Sequence, residues 1–162
     1  MGRVKHLPKH LQPRWRYLAV SIECWPETTL ERDAFQRALW YEAQNLLGDP
    51  GSAAVGLSVV RFQATVGTAV AIVRTHRGEE ERARAAVACI DHIDGAPVGL
   101  RVRGVSGTIR ACEEKYMGDQ PEESVERNVA FEDADRPAFV RNERVDVRIG
   151  NGFVGATTLN MD

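Results

Sequence analysis

Three arginines and two glycines surround a turn in the segment LRVRGVSGTIRACEEKY, which covers residues 100–116. Arg101 and Arg103 precede the turn and, being two residues apart, share one face of a predicted strand. Arg110 follows the turn, at the start of a predicted helix. Guanidinium groups bind phosphate through paired hydrogen bonds, so these residue types predict an anion-binding corner. A plain strand-to-helix corner with solvated arginines is the alternative, and the pattern alone does not separate the two.

The turn itself adds backbone donors to this corner. Ser106 is predicted to cap the N-terminus of a helix that begins at Gly107. The free amides of that first helical turn, with Thr108 and Arg110, would then form an anion site. Glycine has no Cβ and therefore lets a ligand approach the backbone closely.

A second group of basic residues precedes the first predicted strand. Lys5, Lys9, Arg14 and Arg16 occur here without any acidic neighbour, and Trp15 lies among them. Cationic side chains with an interleaved aromatic ring suit phosphate contact and base stacking. A solvated terminal arm, over residues 1–15, is the alternative interpretation.

Catalytic and metal-binding patterns are absent from the sequence. Its four histidines are His6, His10, His76 and His92, and Pro8 interrupts the pair that has helical spacing. The chain contains no Cys-x-x-Cys pair, phosphate-binding loop or nucleophile elbow. We therefore expect no catalytic residue, bound metal or cofactor in the protein itself.

Composition divides the chain into a basic and an acidic part. Of 162 residues, positions 1–118 carry 16 basic and 13 acidic side chains, and positions 119–162 carry 5 and 10. Three widely spaced cysteines predict a reducing, cytoplasmic setting. No signal peptide and no apolar run of membrane length occurs, so no membrane partner is expected.

Apolar periodicity predicts the order strand, helix, strand, strand, helix, strand between residues 16 and 105. The first helix is predicted to follow a capping box at Thr28 and Glu31 and to close at Gly48. The second is predicted over residues 79–93, and a third over roughly 106–117. The order is typical of a ferredoxin-like or RNA-recognition-like α+β sandwich, with both main helices on one face of the sheet.

These elements define a central domain at 16–118, between the basic arm and an acidic extension at 119–162. The acidic, turn-rich composition of the extension predicts partial disorder. Alternation around Gly150-Asn151-Gly152 predicts a hairpin at 144–159 or a strand that pairs with another chain.

Three segments resemble a known family: RWRYLAVSIE at the first strand, the Arg61-Phe62 strand end, and GVSGTIRAC at the turn. Over residues 14–118 the chain is similar to the small Pop-five subunits of ribonuclease P, called protein component 2 in archaea. The arginine excess and the acidic extension resemble a halophilic archaeal member.

The resemblance implies a supporting role rather than an active site. The RNA subunit of ribonuclease P, with bound magnesium, removes the 5′ leader from precursor tRNA. The implied partners are this RNA, precursor tRNA, the TIM-barrel-like protein component 3 and other ribonuclease P proteins. The candidate RNA-binding residues are then Lys5, Lys9, Arg14, Arg16, Arg101, Arg103, Ser106, Gly107, Thr108 and Arg110.

Two other functions compete with this interpretation. A ferredoxin-like regulatory domain that binds a small molecule would have the same element order. An acyl-phosphate hydrolase would need an arginine and an asparagine in one loop, and no such pair lies near the first strand. The sheet also lacks the aromatic platform of RNA-recognition domains, because only Tyr17 and Phe62 lie near its centre.

Overall fold

A computed structural model describes residues 7–118, 125–141 and 143–157 as a mixed α+β protein with two antiparallel sheets. The first sheet and its helices are β1 Trp15–Cys24, α1 Arg32–Val55, β2 Ser58–Thr65, β3 Thr68–His76, α2 Glu80–Ala88, β4 His92–Ile93, β5 Ala96–Ser106 and α3 Ile109–Tyr116. The second sheet is β6 Val125–Phe131, β7 Ala134–Arg141, β8 Arg144–Ile149 and β9 Gly152–Thr157. None of the helices in the described segments is both long and apolar enough to cross a membrane.

The first sheet has the strand order β2-β3-β1-β5-β4, with β1 at its centre. Alternation in β1 directs Leu18, Val20 and Ile22 to one face, where they are fully buried against Phe35 and Leu39 of α1. Helix α2 adds Ala83, Ala86 and Val87 to the same core. Each large apolar side chain buried in this way contributes about 1.5–3 kcal/mol to folding.

Helix α3 packs on the opposite face of the first sheet, which we call the open face. Its Cys112 is fully buried against Ala19 of β1 and Ile72 of β3. Burial raises the pKa of the Cys112 thiol to about 11. Gly104 lies under Tyr116, and a Cβ there would overlap the tyrosine ring. The open face is therefore only partly covered, by one short helix.

The helix boundaries correct several details of the predicted elements. Glu31 is the N-cap residue of α1 and makes no side-chain capping bond, so the predicted capping box does not form. The backbone leaves helical geometry at Gly48, as predicted, but helix resumes around Pro50 and continues to Val55. Gly48 adopts φ 69°, which glycine tolerates without the steric conflict of a Cβ.

The second and third helices are also shorter than predicted. Helix α2 ends at Ala88, because the residues that follow turn back into the short strand β4, which pairs with Ala96 and Pro97. Ser106 is the last residue of β5 rather than a helix cap. Thr108 caps α3 instead, and its Oγ1 accepts a hydrogen bond of 3.1 Å from the amide of Ala111.

The second sheet occupies most of the predicted acidic extension, in the order β6-β7-β8-β9. The described part of this region is β-structure, where composition predicted partial disorder. Its own small core contains Val129, Ala138, Val145 and Val147. Described acidic side chains of this region, among them Glu126, Glu132 and Asp133, lie at exposed strand positions and turns.

Candidate nucleic-acid interface

Several of the predicted site residues meet where β1 begins, β5 ends and α3 begins. Tyr17 pairs with Ser106 across the sheet, which brings Arg16 beside the turn. A Cβ on Gly107 would lie 3.5 Å from Nη1 of Arg16, so this guanidinium reaches the turn itself. Sheet register therefore gathers residues that are far apart in sequence.

The first turn of α3 presents backbone donors next to Arg16. The Thr108 hydroxyl accepts a hydrogen bond from the amide of Ala111, and the Thr108 carbonyl accepts one from the amide of Cys112, at 3.1 Å each. Of the first helical residues, Ile109 and Arg110 keep amides without a partner in the described structure, and these two can bind an anion. Arg110 lies on this turn with its side chain 87% exposed, and its Nε donates to Glu114 at 2.8 Å.

Arg101 and Arg103 lie at the other end of α3. Both are exposed on β5, and Nη1 of Arg103 donates to the carbonyl oxygen of Tyr116 at 3.0 Å. The β1–β5 pairing is irregular at Arg103. Ala19 pairs with Gly104 and Val20 pairs with Val102, so Arg103 lies between two paired residues. Arg103 is thus at the C-terminal end of α3, whereas Arg110 is at its N-terminal end, and Arg101 lies two residues before Arg103 on β5. They do not form one cluster with the turn.

The basic arm is partly described. Lys5 lies outside the described residues, and Lys9 is exposed in a short 3-10 turn at Lys9–Leu11. Arg14 is exposed, and its carbonyl oxygen accepts a hydrogen bond of 2.9 Å from the amide of Arg77. The end of the arm is thereby held against the end of β3.

Sequence reasoning missed three residues at this place: Arg74, His76 and Arg77. Trp15 lies opposite His76 in the β1–β3 register, and their rings stack with centroids 4.2 Å apart at 25°. Cζ of Arg74 lies 4.0 Å from the centroid of the Trp15 ring. The alternation of Arg74 and His76 was visible in the sequence, but only the strand pairing shows that Trp15 is their neighbour.

We call the group Arg14, Trp15, Arg16, Arg74, His76 and Arg77 the basic end of the first sheet. Arg16 makes a long ion pair there, with 3.7 Å between its Nε and Oε1 of Glu80. Arg14, Arg74 and Arg77 pair with no carboxylate among the residues that the structure describes. The basic end therefore has excess positive charge beside the free amides of α3, an arrangement that suits a polyanion.

The described residues contain no group of three or more histidine, cysteine, aspartate or glutamate side chains that could hold a metal ion. A sequence model of the Rpp14/Pop5 family matches residues 16–117. The chain belongs to the Rpp14/Pop5 family. The matched range contains most of the basic end, the turn and α3, whereas the second sheet lies beyond it.

Relatives of this Rpp14/Pop5 chain fall into two lengths. It is 56% identical over 158 residues to "Ribonuclease P protein component 2" of Natronomonas pharaonis, with 98% of each chain covered. It is 31% identical over 115 residues to the protein of the same name from Thermococcus gammatolerans, which covers 71% of this chain and 92% of that one. The second alignment leaves more than a quarter of this chain unmatched.

The fold of this chain also has a weaker similarity to one solved structure. A chain from the cryo-EM structure of yeast ribonuclease MRP superposes with a TM-score of 0.46 at 15% identity. The match covers 62% of this chain and 79% of that one.

Proposed function

We propose that this chain is a protein subunit of ribonuclease P that supports a catalytic RNA in removing the 5′ leader from precursor tRNA. The observation that carries the proposal is its near-full-length similarity to the ribonuclease P protein component 2 of Natronomonas pharaonis. The basic end and the first turn of α3 support it, because they offer unpaired arginines and free amides to a phosphate backbone.

In such an assembly the RNA subunit and its bound magnesium carry out the hydrolysis. The protein would lower the repulsion between RNA phosphates and hold the folded RNA in place. Each charge-assisted contact to a phosphate would contribute about 1.5–3 kcal/mol at most, and less where water and salt screen it. Several such contacts are therefore needed, and the arginines at both ends of α3 could supply them.

The proposed assembly also contains other proteins. We infer that the partners are the ribonuclease P RNA, precursor tRNA, the TIM-barrel-like protein component 3 and further ribonuclease P proteins, in the cytoplasm. We also propose that β1, α1, β2, β3, α2 and β5 correspond to a ferredoxin-like unit. The strand order β2-β3-β1-β5 supports this correspondence, and β4 is an addition at the edge.

Reconstitution tests the proposed function. The chain is added with protein component 3 to a ribonuclease P RNA, and cleavage of precursor tRNA is measured as magnesium is lowered. We expect the two proteins to raise cleavage and to reduce the magnesium requirement, and the chain without RNA to be inactive. Cleavage by the RNA-free protein, or no effect of the chain at any magnesium concentration, would contradict the proposal.

A further inference from the structure

Arg74 is a half-buried arginine whose charge is not neutralised by its surroundings. It lies on β3 and shares the open face with Ile72, two residues earlier. Its Nε is buried and has no hydrogen-bond partner within the described structure, and no described carboxylate pairs with its guanidinium. The Nε atoms of Arg136 and Arg141 are buried and unbonded as well. The feature that points to a partner outside the chain is therefore the uncompensated charge of a partly exposed guanidinium.

An aromatic stack fixes the position of this guanidinium. Cζ of Arg74 lies 4.0 Å from the centroid of the Trp15 ring, a distance typical of a cation–π interaction. The Trp15 ring is itself stacked on His76, 4.2 Å away. The stack leaves Arg74 little freedom to fold away, which reduces the entropy lost when a ligand binds.

The surroundings of the stack select a polyanion as the ligand. Arg14 and Arg77 lie at the same end of β1 and β3 as the stack, joined by a backbone hydrogen bond of 2.9 Å. Arg16 pairs with Thr75 and contacts Glu80, so its side chain leaves the helix face and reaches the turn before α3 around the end of the sheet. Among the described acidic residues, only Glu80 forms an ion pair with a member of this group, at 3.7 Å. Several cations gathered at one end of the sheet match neighbouring phosphates of one backbone better than they match a single free anion.

We propose that Arg74 binds a phosphate of the ribonuclease P RNA on the open face of the first sheet, with Trp15 as the positioning residue. This inference rests on the proposed function. It adds a phosphate site on β3 that the sequence pattern around the turn did not indicate.

A mutation-free measurement tests the site directly. The chain has three tryptophans, Trp15, Trp25 and Trp40, and each indole N–H gives its own NMR signal. Trp25 lies against Phe153, and Nε1 of Trp40 donates to the carbonyl of Leu57, so both report on other surfaces. When ribonuclease P RNA is titrated in, we expect the Trp15 signal to shift or broaden first. Binding that leaves the Trp15 signal unchanged would overturn the inference.

Substitutions give the second arm of the test. Arg74→Gln removes the charge, and Arg84→Gln removes an equal charge from an exposed position on α2. We expect Arg74→Gln to weaken RNA binding roughly tenfold and to reduce the salt slope by about one unit. Arg84→Gln should bind like the parent. Equal affinities for the parent and Arg74→Gln would refute the site, whereas a parent that does not bind RNA would refute the proposed function instead.

The role of Trp15 has its own controls. Trp15→Tyr keeps an aromatic ring beside Arg74 and should retain most of the affinity, whereas Trp15→Leu should lose about as much as Arg74→Gln. The double variant Arg74→Gln with Trp15→Leu should bind no worse than Arg74→Gln alone, because both changes abolish the same contact between Arg74 and a phosphate. Additive losses would show that Trp15 acts independently, and melting curves of all variants would reveal any that fail to fold.

Discussion

The family domain at 16–117 and the second sheet at 125–157 are held together by different forces. The family domain has an extensive apolar core between the first sheet and two helices, with Phe35 and Leu39 fully excluded from water. The second sheet buries four small or medium-sized residues in its own core. Hydrogen bonds, ion pairs and one aromatic contact attach it to the family domain. The family domain should therefore fold alone, whereas the second sheet depends on its attachment.

Arg141 is the centre of that attachment. Its Nη1 donates to the carbonyl of Gly67 at 2.9 Å, and its Nη2 donates to the carbonyl of Cys24 at 3.1 Å. Nη2 also contacts Oδ2 of Asp146 at 3.1 Å, and the Arg141 side chain is only 8% exposed. One arginine of the second sheet thus satisfies two backbone acceptors at the end of the first sheet.

Weaker contacts surround Arg141. Arg144 pairs with Glu23, and Arg148 pairs with Glu27 at 2.8 Å, but these side chains are largely exposed. Trp25 meets Phe153 edge to face at 5.8 Å. Exposed ion pairs contribute roughly 0–1 kcal/mol each, so most of the specific attachment should depend on Arg141.

The largest expected effect is a loss of core packing in the family domain. Phe35→Ala should reduce the free energy of unfolding by about 3–5 kcal/mol, because it leaves a cavity between α1 and the sheet. Val147→Ala removes less apolar volume and should loosen the second sheet alone. Urea denaturation monitored by circular dichroism compares the free energies of unfolding of the two variants. Hydrogen exchange shows which strands open in each. If Val147→Ala exposes the strands of the first sheet as well, the two regions share one cooperative unit.

The next effect concerns the attachment. Arg141→Ala should destabilise docking of the second sheet by about 3 kcal/mol, because it leaves Asp146 and two backbone acceptors without their partner. Arg148→Ala is the matched control and should change stability by less than about 1 kcal/mol. Limited proteolysis followed by mass spectrometry should detect faster cleavage within 119–157 only in the first variant. Equal cleavage of the two variants would mean that apolar contacts attach the sheet.

Sequence periodicity predicted the family domain well because its signals are local. Leu18, Val20 and Ile22 identify the buried face of β1 without knowledge of any other strand. Residues whose role depends on strand pairing could not be found in this way. Arg74 and Trp15 are about 60 positions apart and meet only through the β1–β3 register, and Arg141 meets Gly67 through the packing of two sheets.

The second sheet was underestimated for a related reason. The acidic, turn-rich composition at 119–137 predicted partial disorder where β6 and the first half of β7 fold. The alternation around Gly150 predicted a hairpin at 144–159, and β8 pairs with β9 there. The predicted N-cap of α3, Ser106, was wrong by two residues, because Thr108 caps the helix. Both hydroxyls have capping chemistry, and only the length of β5 decides between them.

A smaller effect is expected when the second sheet is removed. A chain that ends at Gly118 keeps the core of the family domain, so it should fold with a melting temperature within a few degrees of the parent. The carbonyls of Cys24 and Gly67 would lose Arg141 but gain water. Circular dichroism and scanning calorimetry measure the result. Gross unfolding of the truncated chain would show that the second sheet is an intrinsic part of one fold.

The smallest effect is a pH dependence of docking, carried by Asp146. Its burial raises the pKa of the carboxyl group above the ordinary 3.8, and this effect outweighs the opposing one of the Arg141 guanidinium. A raised pKa means that the folded state holds the proton more tightly than the unfolded state does. Stability from this group is therefore fully present below pH 3.8 and falls as the pH rises through the folded pKa.

Asp146→Asn isolates this contribution, because asparagine keeps an oxygen acceptor for Arg141 but does not titrate. Both proteins are unfolded in urea at a series of pH values from 4 upward, and the difference between them removes the titration of all other groups. We expect the parent to lose stability relative to Asp146→Asn as the pH rises, by a small amount, since Asp146 is about one-third exposed. If the parent instead gains free energy of unfolding relative to Asp146→Asn as the pH rises, the ion pair with Arg141 has a larger effect on the Asp146 carboxyl group than burial has. The attachment of the second sheet would then resemble a stabilising buried salt bridge rather than a hydrogen-bonded arginine.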